Sequence, residues 1–144
     1  MDFLPQFNRL MTEQRDLALA TSIENVPNVR IVNFYCDTSK KGIVYFSTFR
    51  DNQKVKEFKQ NNRVAFTTIP LSENQHVRVM NAIVKKSDLT IYDLSEFLLK
   101  KNPGYQKIID HAGDEIELYE IHFSQARVTL DFTCTGIVSF LTRC

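Results

Sequence analysis

Residues 45–66 read YFSTFRDNQKVKEFKQNNRVAF, and the hydrophobic period of this stretch changes twice. A strand ends at Phe46-Ser47-Thr48, a turn follows, Val55 and Phe58 recur one helical turn apart, and RVAFTTIP (63–70) resumes a strand. Asp51 or Asn52 supplies the N-cap of the short helix, and the Asn61-Asn62 pair supplies its stop. Lys54 therefore falls in the first helical turn. Hydroxyls, unpaired backbone N–H groups and an ammonium converge where strand gives way to helix, a reasonable cradle for a phosphate. A capped helix with a solvated lysine would read the same way, so this stretch alone leaves the ligand open.

Upstream, VPNVRIVNFYCD (26–37) places an arginine inside an otherwise apolar strand. Alternation puts Val29 and Ile31 on one face, with Val32 and Phe34 on the other beside Arg30. A guanidinium there needs an anion or open water, and on the stretch alone the better reading is an edge strand whose arginine reaches solvent. The segment TSKKG, whose Gly42 can adopt positive φ, is expected to close a hairpin with GIVYFSTF (42–49), and that register would carry Arg30 toward the Lys54 cradle. Further out, Phe3, Phe7, Leu10 and Met11 mark an N-terminal amphipathic helix, and LALATSI (17–23) a buried strand turning at ENVPN. HVRVMNAIVKKSD (76–88) is a long strand, and DLTIYDLSEFLLKKNPGYQKIIDHAGD (88–114) is two helices broken at Asn102-Pro103-Gly104. EIELYEIHF and ARVTLDF (126–132) close the pattern as strands. In the first of these, Glu117, Tyr119, Ile121 and Phe123 share one face, and Leu118, Glu120 and His122 the other. Short strands with few helices describe a mainly β antiparallel barrel in a single domain over residues 1–144.

The composition limits the partners. Eighteen basic against seventeen acidic residues leave a net charge of +1, without the basic excess of a protein devoted to nucleic acid. No apolar run approaches the ~20 residues that span a bilayer, so a soluble, cytoplasmic protein without a membrane partner is expected. Cys36, Cys134 and Cys144 are odd in number and widely spaced, which fits reduced thiols. His76, His111 and His122 show no paired ligand spacing, and no serine or cysteine sits in a nucleophile motif, so no metal or catalytic side chain is assigned.

In order and spacing, NVRIVNF, VYFSTFRDNQKVKEFKQNNRVAF and HVRVMNAIVKKSD resemble the flavin-binding split barrels related to pyridoxamine 5'-phosphate oxidase, over roughly residues 16–88. The resemblance implies a homodimer of six-stranded split barrels with flavin mononucleotide (FMN) between the subunits. Arg30 would contact the phosphate, while Ile31, Val32 and Asn33 would offer bonds to the flavin ring. Ser47 and Thr48 would bind phosphate or ribityl oxygens, Lys54 would complete the clamp, and Gln75 would reach the flavin from the other subunit. Gln53, counted with the cofactor site, replaces a basic residue that members often carry, and Asn81 replaces a common glycine, which implies a weaker phosphate grip. Beyond residue 88 nothing resembles the arginine- and tryptophan-bearing signature with which the true oxidase holds its vitamin B6 substrate, so that activity is not expected. The implied function is an oxidoreductase passing hydride or electrons between a nicotinamide or small substrate and FMN. The alternatives are haem or a deazaflavin on the same scaffold, or a dimeric flavin-binding or stress-response module without turnover.

Overall fold

In the computed structural model, which describes residues 1–140, eight antiparallel strands form one sheet. The strands are β1 (Asp16–Ile23), β2 (Val26–Asn33), β3 (Ile43–Phe49), β4 (Arg63–Thr68), β5 (His76–Lys86), β6 (Ile116–Phe123), β7 (Gln125–Asp131) and β8 (Cys134–Ser139). The helices are α1 (Leu4–Glu13), α2 (Gln53–Gln60), α3 (Ser95–Lys101) and α4 (Tyr105–Ala112). Six strands run in the order β2-β1-β4-β5-β6-β3, and the β7–β8 hairpin is attached to β5. The sheet curls until its two ends meet at one bridge, Tyr35 with Tyr45. The barrel is mainly β and split, as expected.

The expected hairpin between the Arg30 strand and β3 is reduced to that bridge. β2 pairs along its whole length with β1, Arg30 opposite Leu19, through a two-residue turn in which Glu24 (φ 50°) and Asn25 (φ 68°) are left-handed. Such a turn matches the strand twist, and it lets β1 take β2 before the longer 34–42 connection can. β3 pairs instead with β6. Gly42 does have positive φ (73°), and a Cβ there would sit 2.4 Å from the carbonyl oxygen of Phe123. Asn81 lies at an irregularity where β5 carries an extra residue against β4, and its φ is not positive, so no glycine is required. β8 went unforeseen.

Two cores result. The barrel interior is filled by Met11, Leu17, Leu19, Phe34, Phe46 and Ile121 among others, with Phe58 of α2 edge-on to Phe46. A second core under α3 and α4 joins Tyr35, Tyr45, Leu98, Tyr105 and Leu118. β6 is thus covered on both faces where Tyr119 and Leu118 alternate. The boundary between the cores opens into the cleft described next. No helix among the described residues is long and apolar enough to cross a membrane.

Candidate functional site

The helix α2 starts where it should. Asn52 is extended, and its side-chain oxygen accepts from the Lys54 N–H at 3.1 Å, so the first turn of α2 faces the end of β3. Lys54 Nζ reaches back to donate to Thr48 Oγ1 at 2.9 Å. Beside them a cleft of about 270 Å³ has Ile31, Val32 and Asn33 on one wall and Ser47, Thr48, Asn52 and Lys54 on the other. Six of the nine residues expected at a cofactor site therefore meet in one space: Ile31, Val32, Asn33, Ser47, Thr48 and Lys54.

The electrostatics of the cleft are cationic. Burial pushes the Lys54 ammonium below its ordinary value, the nearby Arg30 guanidinium pushes it further the same way, and Glu57 opposes them. Among the described residues no carboxylate lies within ion-pairing distance of Lys54. A dianionic group would relieve that repulsion; in the first turn of α2 the Lys54 and Val55 N–H groups are already taken by the side chain and carbonyl of Asn52, so the positive end of the helix adds its field rather than free donors. Among the described residues β2 pairs with β1 alone, so its outer edge keeps backbone N–H and C=O groups without ladder partners there, suited to the rim of a planar heterocycle.

Arg30 departs from its expected place. It does not line the cleft; it donates to Glu57 Oε1 at 2.5 Å, to Thr21 Oγ1 at 3.0 Å and to the carbonyl of Leu19 at 3.1 Å. Glu57 is 5 % exposed and also accepts from Thr21 Oγ1 at 2.7 Å and Asn28 Nδ2 at 3.3 Å. The reason is the β1–β2 pairing: it sends the arginine over β1 onto the underside of α2, where a buried carboxylate takes it in preference to solvent. Only the edge position of its strand agrees with the reading of an arginine reaching water. Gln53 is exposed on α2 and away from the cleft lining. Gln75 also lies away from it, its Oε1 accepting from Arg9 at 2.8 Å and its carbonyl from Gln14 at 2.6 Å. The contact expected of Gln75 was with a second subunit's flavin, which one chain does not display.

Several lining residues had no sequence signal. Asn102, Tyr105 and Ile108 close the cleft from the α3–α4 side and Ile116 from the start of β6, and Tyr105 and Ser47 share a hydroxyl–hydroxyl bond of 2.5 Å. Two amphipathic helices do not announce which sheet face they cover. Glu57 could have been singled out as the one acid in a helix with three lysines, Lys54, Lys56 and Lys59.

This split barrel, with a cationic cleft where β3 meets α2, places the chain among proteins of one class. Residues 10–134 match the family described as pyridoxamine 5'-phosphate oxidase-like, and the chain belongs to that family. The match reaches beyond residues 16–88 at both ends. Solved structures share the fold at low identity. A Clostridium acetobutylicum protein related to general stress protein 26, of the pyridoxinephosphate oxidase family, is 14 % identical with a TM-score of 0.70 over 96 % of each chain. An FAD-binding protein of Mesorhizobium loti is 16 % identical (TM-score 0.62, 92 % of this chain and 90 % of that one). A heme binding protein of Mycobacterium smegmatis is 9 % identical (TM-score 0.72, 96 % of this chain and 58 % of that one). No curated protein matches the sequence.

Proposed function

We propose that the cleft binds FMN and that the protein is a flavin-dependent oxidoreductase working as a cytoplasmic homodimer. The observation that carries this reading is the convergence of Lys54, Thr48, Ser47 and the capped N-terminus of α2 beside an open strand edge. Lys54 would hold the phosphate at the N-terminal end of α2, Ser47 and Thr48 would serve phosphate or ribityl oxygens, and Ile31 to Asn33 would meet the ring. Ser47 would release Tyr105 or share its hydroxyl to do so. When bound, flavin supplies hydride or electron transfer with a nicotinamide or small substrate. The chain's own contribution is to position the ring, to keep water from one side of it with Tyr105 and Ile108, and to tune it through backbone donors. No side chain is needed as an acid or base.

The dimer is supported by exposed apolar residues on the sheet surface: Val29 is 63 % exposed, Ile31 59 % and Met80 74 %. Flavin is favoured over haem because the cleft lining contains no histidine, cysteine or methionine, and one of its two tyrosines is bonded to Ser47. The visible spectrum of the purified protein with FMN added and excess removed tests the proposal. Flavin bands that bleach with a reduced nicotinamide support it. A Soret band after haem addition, with no retained flavin, overturns it.

A further inference from the structure

Strand pairing brings two arginines together on the outer face of the sheet. Val77, Val79, Ala126 and Val128 are buried in the barrel core, so alternation turns Arg78 of β5 and Arg127 of β7 outward. The two are register partners in an antiparallel pair, where facing Cβ atoms lie about 4.5–5.5 Å apart and like charges destabilise the sheet. Both are exposed, neither lines the Lys54 cleft, and no carboxylate of the described residues is within ion-pairing distance of either. They meet at a concavity of about 130 Å³. It opens where β5 passes from one neighbour to the other, since β7 pairs with it up to Arg78 and β6 from Ala82. Exposed Asn81, Ser124 and Gln125 add polar groups to its wall, and Met80 and Ile137, 74 % and 50 % exposed, form an apolar rim.

We propose that this concavity is an oxyanion site, for a phosphate group held between the Arg78 and Arg127 guanidinium groups. Facing guanidinium forks each offer paired N–H donors to one tetrahedral dianion, whose two charges offset the two that the register sets side by side. Asn81, Ser124 and Gln125 can each donate to an oxygen that the arginines leave open. The acids on the neighbouring strands are committed elsewhere. Asp131, at the far end of β7, accepts from the Thr133 amide at 2.8 Å and hydroxyl at 2.7 Å. Glu120, in line with Ser124 by the alternation of β6, accepts from Ser87 at 2.6 Å and pairs with His122 at 2.7 Å. His76, next to Arg78 on its face of β5, brings no negative charge. The volume is well below that of a pocket enclosing a whole small molecule, so the site takes the anionic end and leaves any organic part outside, against Met80 and Ile137.

This site does not rest on the flavin reading, and FMN retention is measured separately by absorbance. Isothermal titration with inorganic phosphate at constant ionic strength, set with sodium chloride, compares wild type with Arg78→Gln, Arg127→Gln and Lys54→Ala. Either arginine variant should weaken phosphate at least about tenfold, as expected when a charge-assisted bond is lost, while Lys54→Ala keeps this site and the arginine variants keep FMN. Both arginines are exposed and each substitution removes a like-charge contact, so without phosphate the variants should melt no lower than wild type, and phosphate should raise the Tm of wild type more than theirs. Phenyl phosphate binding more tightly than phosphate supports the site with an organic phosphomonoester as its ligand; equal or weaker binding supports it with the free ion. Met80 also belongs to the face proposed for the dimer, and one phosphate per chain is expected at the arginines in monomer or dimer. The proposal is overturned if wild type binds no phosphate above the chloride background, which leaves the arginines to water or to the partner subunit, if both arginine variants bind phosphate as tightly as wild type, or if Lys54→Ala alone abolishes the binding.

Discussion

Replacing Arg30 with methionine tests what that arginine is for. The substitution keeps an apolar stem but leaves Glu57, whose side chain is 6 % exposed, with only the neutral donors Thr21 and Asn28. Breaking a buried pair from one side costs about 3–5 kcal/mol, and the Arg30 side chain is 20 % exposed, so the lower end, about 3 kcal/mol, applies. In a domain of this size that lowers Tm by roughly 6–12 °C. Urea unfolding at fixed protein concentration measures the loss directly. The double variant Arg30→Met/Glu57→Leu, which removes both charges, should recover most of it. The pH dependence has a definite sign. The Thr21 hydroxyl above all, then Asn28 and Arg30, hold the Glu57 carboxyl below its ordinary value of 4.5. Its contribution is therefore fully present above the unfolded-state value and is lost as the pH falls through the lower folded value, where the gap between wild type and Arg30→Met closes. An Arg30→Met protein within about 0.5 kcal/mol of wild type, with FMN binding abolished, would refute this reasoning and return the arginine to the phosphate.

Gly42→Ala should destabilise the protein by about 2–4 kcal/mol in the same unfolding assay, because it adds left-handed strain to a contact of 2.4 Å with the Phe123 carbonyl. For Lys101, burial above all brings the folded value to about 8, below the ordinary 10.5, so the unfolded chain holds its proton more firmly between them. Wild-type stability should then rise relative to Lys101→Met as pH increases through that window, by up to about 3 kcal/mol, with Cys36 and Asp16 favouring the charge and Arg15 opposing it. Chemical denaturation at pH 7, 9 and 10.5 checks this. Tyr105→Phe should cost about 1 kcal/mol by removing the Ser47 bond, yet leave FMN affinity equal or improved, since Ser47 is then free to serve the ligand.

The parts of the fold that were legible are those set by local pattern. The α2 turn could be read because Asn52, Lys54, Val55 and Phe58 lie within seven residues and cap, charge and pack one short helix. The break between α3 and α4 at Asn102-Pro103-Gly104 was equally local. The pairing of β2 was not: two strands competed for it, and the tight left-handed turn at Glu24-Asn25 decided for β1 without a glycine to mark it. Arg30 and Glu57 are 27 residues apart, and nothing in either neighbourhood names the other. β8 escaped notice because TGIVS is short and follows the exposed Phe132 with no alternation of its own. At the site, the wall contributed by β2, β3 and α2 was readable, and the wall contributed by Tyr105 and Ile108 was not, because it depends on which sheet face the helices cover.

In the proposed function the Lys54 cleft holds a flavin by its phosphate. Fluorescence titration of folded wild-type and Lys54→Ala proteins with FMN and with riboflavin, which lacks the phosphate, tests it most directly. One charge-assisted bond in a partly enclosed cleft is worth about 1.5–3 kcal/mol. Lys54→Ala should therefore weaken FMN roughly ten- to a hundredfold while leaving riboflavin, bound poorly by both proteins, nearly unchanged. Equal affinity of wild type for FMN and riboflavin, or an FMN affinity indifferent to Lys54→Ala, would rule out a phosphate held by Lys54.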